Sequence, residues 1–169
     1  MSWLSIILRV LHVGGGVFWA GGMFLLAGFV EPVVAAAGPE GGRFMGRLAG
    51  RFTPAMTVAG VTTLVAGVWL LWRDSGGFQS AFMGSGMGVA LSIGALSGVV
   101  AAVIGLGVGA RNALRLRALS GVIQGQPAGP TPEQLGQVQA LQRRLRLGAR
   151  ITALLLGVAV VCMAVARYV

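Results

Sequence analysis

The sequence predicts an all-α integral membrane protein, a four-helix bundle with helical extensions on one side of the bilayer. Hydrophobic residues make up 56% of the 169-residue chain, charged residues only 10%, and the mean hydropathy is +0.84. Water-soluble domains carry roughly a quarter charged residues. Lipid is therefore expected to be the solvent for much of this chain, which should pack as a single domain over residues 1–169.

Four apolar runs are each long enough to cross the hydrocarbon core, which takes about 20 helical residues. The predicted spans are residues 4–30, 53–72, 87–110 and 151–166. Small residues share one face of the third span and predict close packing against a neighbouring helix. These residues are Gly94, Gly98, Ala101, Gly105 and Gly109.

The arginines predict the orientation of the bundle. All 13 basic residues are Arg; ten of them lie in the connections 31–52 and 111–150, whereas Arg73 and Arg167 lie on the other side and Arg9 falls inside the first span. Because cytoplasmic connections carry the excess of positive charge, both termini are expected outside the cytoplasm and 111–150 inside it. This predicts a multi-pass protein of the cell inner (plasma) membrane.

Helical extensions are predicted on the arginine-rich side. Arg43, Arg47 and Arg51 recur every four residues along one side of a helix, so the second helix should begin before the membrane. Residues 121–130 contain three Gly and two Pro and predict a flexible linker. Thr131, followed by Pro and a Gln three positions on, predicts a capped helix that continues into the fourth span.

Composition excludes several functions. The chain has no Lys, so it offers neither a P-loop lysine nor a Schiff-base amine. The single Cys162 allows no internal disulfide and no Cys-based zinc site. The four acids lie at membrane edges or in connections and provide no carboxylate pair, so no catalytic residue is predicted. The net charge of +9 lies beside apolar runs, which indicates contact with lipid headgroups and not with nucleic acid.

The first span carries the most informative stripe of residues. Its members recur at helical spacing on one face: Ser5, Arg9, His12, Gly16, Trp19, Met23 and Leu26. An ionisable group in hydrocarbon must find a partner or face the bundle interior. The run Gly14–Gly16 removes side-chain bulk beside the single histidine, so either a neighbouring helix or a flat macrocycle is expected to approach there.

Two interpretations of His12 stay open at this stage. In one, the histidine hydrogen-bonds another helix and Arg9 extends to the headgroups. In the other, His12 ligates haem iron or another metal and Arg9 pairs with an anionic group such as a propionate. A methionine is then the expected second ligand, with Met163 preferred over Met87, although packing is the ordinary role of each Met.

The run from Leu11 to Gly22, with a His, six residues and then Trp-x-Gly-Gly, resembles the first-helix signature of CopD-like copper-resistance membrane proteins. Arg51-Phe52 entering an apolar helix is similar to that family's second segment. HemJ-type haem-binding proteins are similar in the same region. The resemblance implies that His12 is a copper or haem ligand.

The resulting expectation is b-type haem at an outer-leaflet site, held by His12 and Met163, with Arg9 and Arg73 near the propionates. Gly15, Gly16 and Trp19 would wall the ring, and the role would be electron transfer or haem handling. The alternatives are CopD-like copper handling and a cofactor-free structural subunit of a membrane complex. Expected partners are the lipid bilayer and either a second copy of the chain or a larger membrane complex.

Overall fold

The computed structural model describes residues 3–169, apart from the side chain of Pro39. The regular elements in this part of the chain are all helical, as predicted. In order they are α1 (Trp3–Leu25), a π-helical segment (Leu26–Val30), α2 (Glu31–Ala36), α3 (Gly38–Asp74), α4 (Ser80–Met83), α5 (Gly86–Ala102), a second π-helical segment (Val103–Gly109), α6 (Ala110–Gln124), α7 (Pro132–Val165) and a 3₁₀ turn (Ala166–Tyr168).

Four continuous helical stretches are long and apolar enough to cross a membrane, and they confirm the four-helix bundle. They are Trp3–Ala36, Glu40–Asp74, Gly86–Gln124 and Pro132–Tyr168. Large apolar side chains cover their outer faces; Val17 is 69% exposed and Leu154 73%. Such a surface is stable in lipid and not in water, so the chain is a multi-pass membrane protein.

Small residues dominate the interior and set how closely the helices approach. Ala101 is completely buried and Ala66 nearly so. Helix α5 packs mainly against α7, and a Cβ on Gly94 would lie 3.2 Å from Cβ of Cys162. The predicted packing role of the small-residue face of the third span is therefore confirmed.

Helices α1 and α3 form the most intimate pair, in an antiparallel register marked by four glycines. A Cβ on Gly15 would lie 2.7 Å from Oγ1 of Thr63, and one on Gly22 would lie 2.8 Å from Sδ of Met56. In the opposite sense, Trp19 covers Gly60 and His12 covers Gly67. On each helix the two glycines are seven residues apart. The space at each glycine is filled by a side chain of the other helix.

The extensions also form as predicted. Helix α3 begins at Gly38, well before the predicted span, and α7 is unbroken from Pro132 to Val165. Thr131 caps α7: its backbone N–H donates to Oε1 of Gln134 (2.9 Å), and its Oγ1 accepts from the backbone N–H of Gln134 (3.2 Å).

The connection 111–150 is a helical hairpin of α6 and α7 over most of its length. Helix α6 continues to Gln124, so the linker is shorter than the predicted 121–130 and begins at Gly125. The ten arginines of 31–52 and 111–150 lie at one end of the bundle, which we call the arginine-rich end. The opposite end, where α3 finishes at Asp74, is called the Asp74 end.

Candidate functional site

His12 is hydrogen-bonded to the neighbouring helix. Its Nδ1 lies 2.8 Å from the backbone carbonyl oxygen of Thr63 in α3. Because a carbonyl oxygen only accepts, Nδ1 must carry the proton and donate it. The half-buried ring occupies the space above Gly67, where a Cβ would lie 2.6 Å from Cε1 of His12. This bond fixes the tautomer and leaves the lone pair on Nε2.

The residues predicted to wall a macrocycle contact α3. Thr63 fills the space beside both Gly15 and Gly16, since its Oγ1 and Cγ2 are the atoms closest to a Cβ placed there. Trp19 is 3% exposed and lies against Gly60. Of the two expected approaches to this glycine run, the neighbouring helix is therefore the one observed, and a ring ligated by His12 would have to lie on another side of α1.

Arg9 lies at the Asp74 end and forms an ion pair there. Its Nη2 is 3.5 Å from Oδ2 of Asp74, and the two side chains are 56% and 44% exposed. An exposed pair of this kind contributes about 1 kcal/mol or less. The pair partly neutralises the charge of Arg9, which was expected to pair with an anionic group. Arg73 directly precedes Asp74 in the sequence, and its side chain is exposed.

Met163 faces a different helix from His12. Its Cε would be 3.2 Å from a Cβ on Gly94 of α5, whereas His12 contacts Thr63 and Gly67 of α3. Helices α1 and α7 are antiparallel and meet where Phe24 lies against Gly157. That register places Met163 about six residues, or roughly 9 Å, from the level of His12. The contacts of the two predicted ligands thus lie on different helices, α3 for His12 and α5 for Met163.

Glu31 is a candidate functional residue that the sequence analysis missed, because it placed every acid at an edge or in a connection. Its side chain is 5% exposed, and Oε2 is buried without a hydrogen-bond partner among the described residues. Arg150 and Arg146 of α7 supply the electrostatic attraction it experiences. A buried carboxylate is costly unless paired, so its presence here marks a position of functional interest.

The burial of Glu31 follows from a local change of helical period. The stripe of α1 recurs every three or four residues and would continue from Leu26 to Val30. The π-helical segment Leu26–Val30 inserts an extra residue into the turn, so the buried position falls on Glu31 while Val30 is half-buried. The sequence does contain one indication, an acidic residue directly after the apolar stripe. The π-helical turn itself cannot be predicted from hydrophobic periodicity.

A second buried polar group lies in the same half of the bundle. Thr152 is 1% exposed and its Oγ1 has no hydrogen-bond partner among the described residues. It faces Gly105, in the second π-helical segment, and α7 contacts both π-helical segments. π-helical turns are frequent at functional sites, and here both flank α7 towards the arginine-rich end.

The chemistry open to these groups is limited. Within residues 3–169, no group of three or more His, Cys, Asp or Glu side chains is placed to hold a metal ion. Any metal bound at His12 would therefore need ligands from methionine, from a macrocycle or from another molecule. No protein-family model, curated protein or solved structure matches the chain significantly.

Proposed function

We propose that the protein is a structural subunit of a membrane complex, in which the four helices anchor a basic platform at the arginine-rich end. One observation carries this proposal. The face of α1 that was expected to form a cofactor site packs against α3. His12 and Trp19 fill the spaces at Gly67 and Gly60, and Thr63 fills the space at Gly15.

The dimensions of the helices support a platform outside the bilayer. Helix α7 has 34 residues, which is about 51 Å at 1.5 Å per residue, against a hydrocarbon core of about 30 Å. Roughly 20 Å of α7 therefore lies beyond the core, alongside α6. Nine of the ten arginines at this end are exposed. Such a surface is suited to bind acidic partners. By the positive-inside rule it faces the cytoplasm, with the chain in the inner membrane of the cell.

Haem or copper binding at His12 is the second candidate function. Histidines that bind metals nearly always donate their other ring N–H to a carbonyl or carboxylate, which orients the ring. The 2.8 Å contact from Nδ1 of His12 to Thr63 has this form and leaves Nε2 as the free ligand atom. Haem b would then lie outside the α1–α3 contact, and a second ligand would come from a neighbouring molecule, because Met163 packs against α5.

One preparation distinguishes the two functions. The protein, purified in mild detergent from its native membrane, is analysed by visible absorption, elemental analysis for copper and iron, and native mass spectrometry. The structural proposal predicts co-purification with another protein at fixed stoichiometry, without a Soret band and without stoichiometric metal. A protein that remains alone and carries haem or copper would contradict it.

The second function predicts that His12→Ala abolishes the Soret band or the bound copper, whereas Arg9→Ala weakens retention without removing a ligand. Circular dichroism and gel filtration of both variants check that the helices form and that the protein is not aggregated. An unchanged haem spectrum in His12→Ala would exclude this histidine as the ligand.

A further inference from the structure

The hairpin of α6 and α7 contains a groove with paired basic side chains. It measures about 380 Å³ and is lined by Arg115, Leu119, Gln137, Ala140, Leu141 and Arg144. Arg115 on α6 and Arg144 on α7 belong to neighbouring antiparallel helices, so two guanidinium groups and one amide border a floor of apolar side chains. We propose that this groove is a binding site for a phosphate group.

The donor set fits that ligand. A guanidinium presents its N–H groups in a planar fork that matches two phosphate oxygens, and the amide of Gln137 adds a further donor. Leu119, Ala140 and Leu141 supply the apolar floor between these donors. Both arginines and Gln137 are exposed in the structure, so the groove is accessible.

The charge of the groove is not neutralised by the protein. Over residues 3–169, the ion pair that the structure forms is Arg9–Asp74, at the other end of the bundle. The acid of the hairpin, Glu133, lies in the first turn of α7, about 16 Å along the helix axis from Arg144. The buried Glu31 attracts Arg146 and Arg150 electrostatically, and neither of these lines the groove. An external anion is therefore the natural counter-charge for Arg115 and Arg144.

The depth of the groove brings it within reach of lipid headgroups. Arg144 precedes the predicted start of the fourth span by seven residues, or about 10 Å along the helix. The headgroup layer extends roughly 5–8 Å beyond the hydrocarbon core, and long arginine side chains extend towards it. The phosphate can thus come from an anionic lipid or from a soluble phosphate compound. This inference does not depend on whether His12 binds a metal.

The test compares a pocket variant with a control of equal charge. Arg115→Gln/Arg144→Gln removes the pair, and Arg43→Gln/Arg47→Gln removes two exposed arginines from α3. Retention of phosphatidylglycerol relative to phosphatidylcholine is measured by native mass spectrometry of the full-length protein. We expect about 25-fold weaker retention in the pocket variant, since each guanidinium hydrogen-bonded directly to the phosphate contributes about five-fold, and a smaller loss in the control, whose arginines act only through general surface charge.

A second arm identifies the source of the phosphate. Inorganic phosphate is added to the protein in phosphatidylcholine nanodiscs, and the thermal unfolding midpoint is measured. Stabilisation of the wild type but not of the pocket variant indicates a soluble ligand, whereas selective retention of phosphatidylglycerol indicates a lipid. Arg115→Lys/Arg144→Lys, which keeps the charge but not the fork, should bind with intermediate strength.

Three results would overturn the proposal. Equal losses in the pocket and control variants would mean that the arginines act only through general surface charge. Neither lipid selectivity nor stabilisation by phosphate in the wild type would mean that the groove holds no phosphate. A pocket variant that keeps its ligand while folded, as judged by circular dichroism, would place the ligand elsewhere.

Discussion

Substitution of Gly67 by Ala should destabilise the contact between α1 and α3, and removal of the His12 ring should relieve the damage. The new Cβ would lie 2.6 Å from Cε1 and 2.8 Å from Nδ1 of the ring, where ordinary contact begins near 3.4 Å. The ring must therefore move away, which lengthens its 2.8 Å hydrogen bond to Thr63. Overpacking of this kind costs about 1–3 kcal/mol.

Two further contributions adjust that figure. Weakening the hydrogen bond lowers the free energy of unfolding by about 1 kcal/mol more. Replacing a helical glycine with alanine raises it by about 1 kcal/mol. The free energy of unfolding should thus fall by about 1–3 kcal/mol in Gly67→Ala. In the His12→Ala background the same substitution meets empty space and should be neutral or stabilising by up to about 1 kcal/mol, which gives a coupling energy of about 1–4 kcal/mol.

The measurement is reversible unfolding in mixed micelles with a rising fraction of sodium dodecyl sulfate, followed by circular dichroism. Gly14→Ala is the matched control on α1, because nothing lies within 4 Å of its Cβ; it should not lower the stability. Additive effects of the Gly67 and His12 substitutions would refute the argument, since they would show that the ring does not occupy the space above this glycine.

Two further predictions concern the arginine-rich end. Glu31→Met should raise the free energy of unfolding by about 1–3 kcal/mol, since it removes a buried carboxylate whose Oε2 lacks a hydrogen-bond partner; Glu40→Met, at an exposed position, should change it by less than about 0.5 kcal/mol. A loss of stability in Glu31→Met would show that Arg150 holds the carboxylate in a net favourable pair. For orientation, a cysteine at Gly125 should resist membrane-impermeant reagents in intact cells and one at Gln79 should react, in a background lacking Cys162. Reaction at Gly125 from outside would reverse the proposed topology.

The features that could be predicted from the sequence depend on local or one-dimensional signals. The four spans follow from the length and composition of apolar runs, because every backbone polar group in lipid must be satisfied within a helix. The start of α7 follows from the Thr131 capping box, which involves residues only three apart. The stripe of α1 was also predicted, and Trp19 and Met23 are buried as its period requires.

The features that could not be predicted depend on which helix faces which. The glycines beside His12 indicated a close approach but not its occupant, and the antiparallel register that brings Thr63 to Gly15 is a long-range property. The ion pair of Arg9 with Asp74 joins residues far apart in the chain. Counting arginines on the two sides of the membrane therefore assigned Arg9 to neither side. The preference for Met163 rested on estimated depth alone and took no account of the face of α7 that carries it.

The π-helical turn that follows α1 has a structural consequence that also bears on function. From His12 to Gly22 the helix packs against α3, whereas beyond that point Phe24 lies against Gly157 of α7. The π-helical segment that follows also contacts α7. One extra residue in the turn rotates the buried face and brings Glu31 inward, towards the charge of Arg150. The buried carboxylate is thus placed by this irregularity in the helix. A substitution that restored a regular α-helical turn there would have to expel Glu31 from the interior.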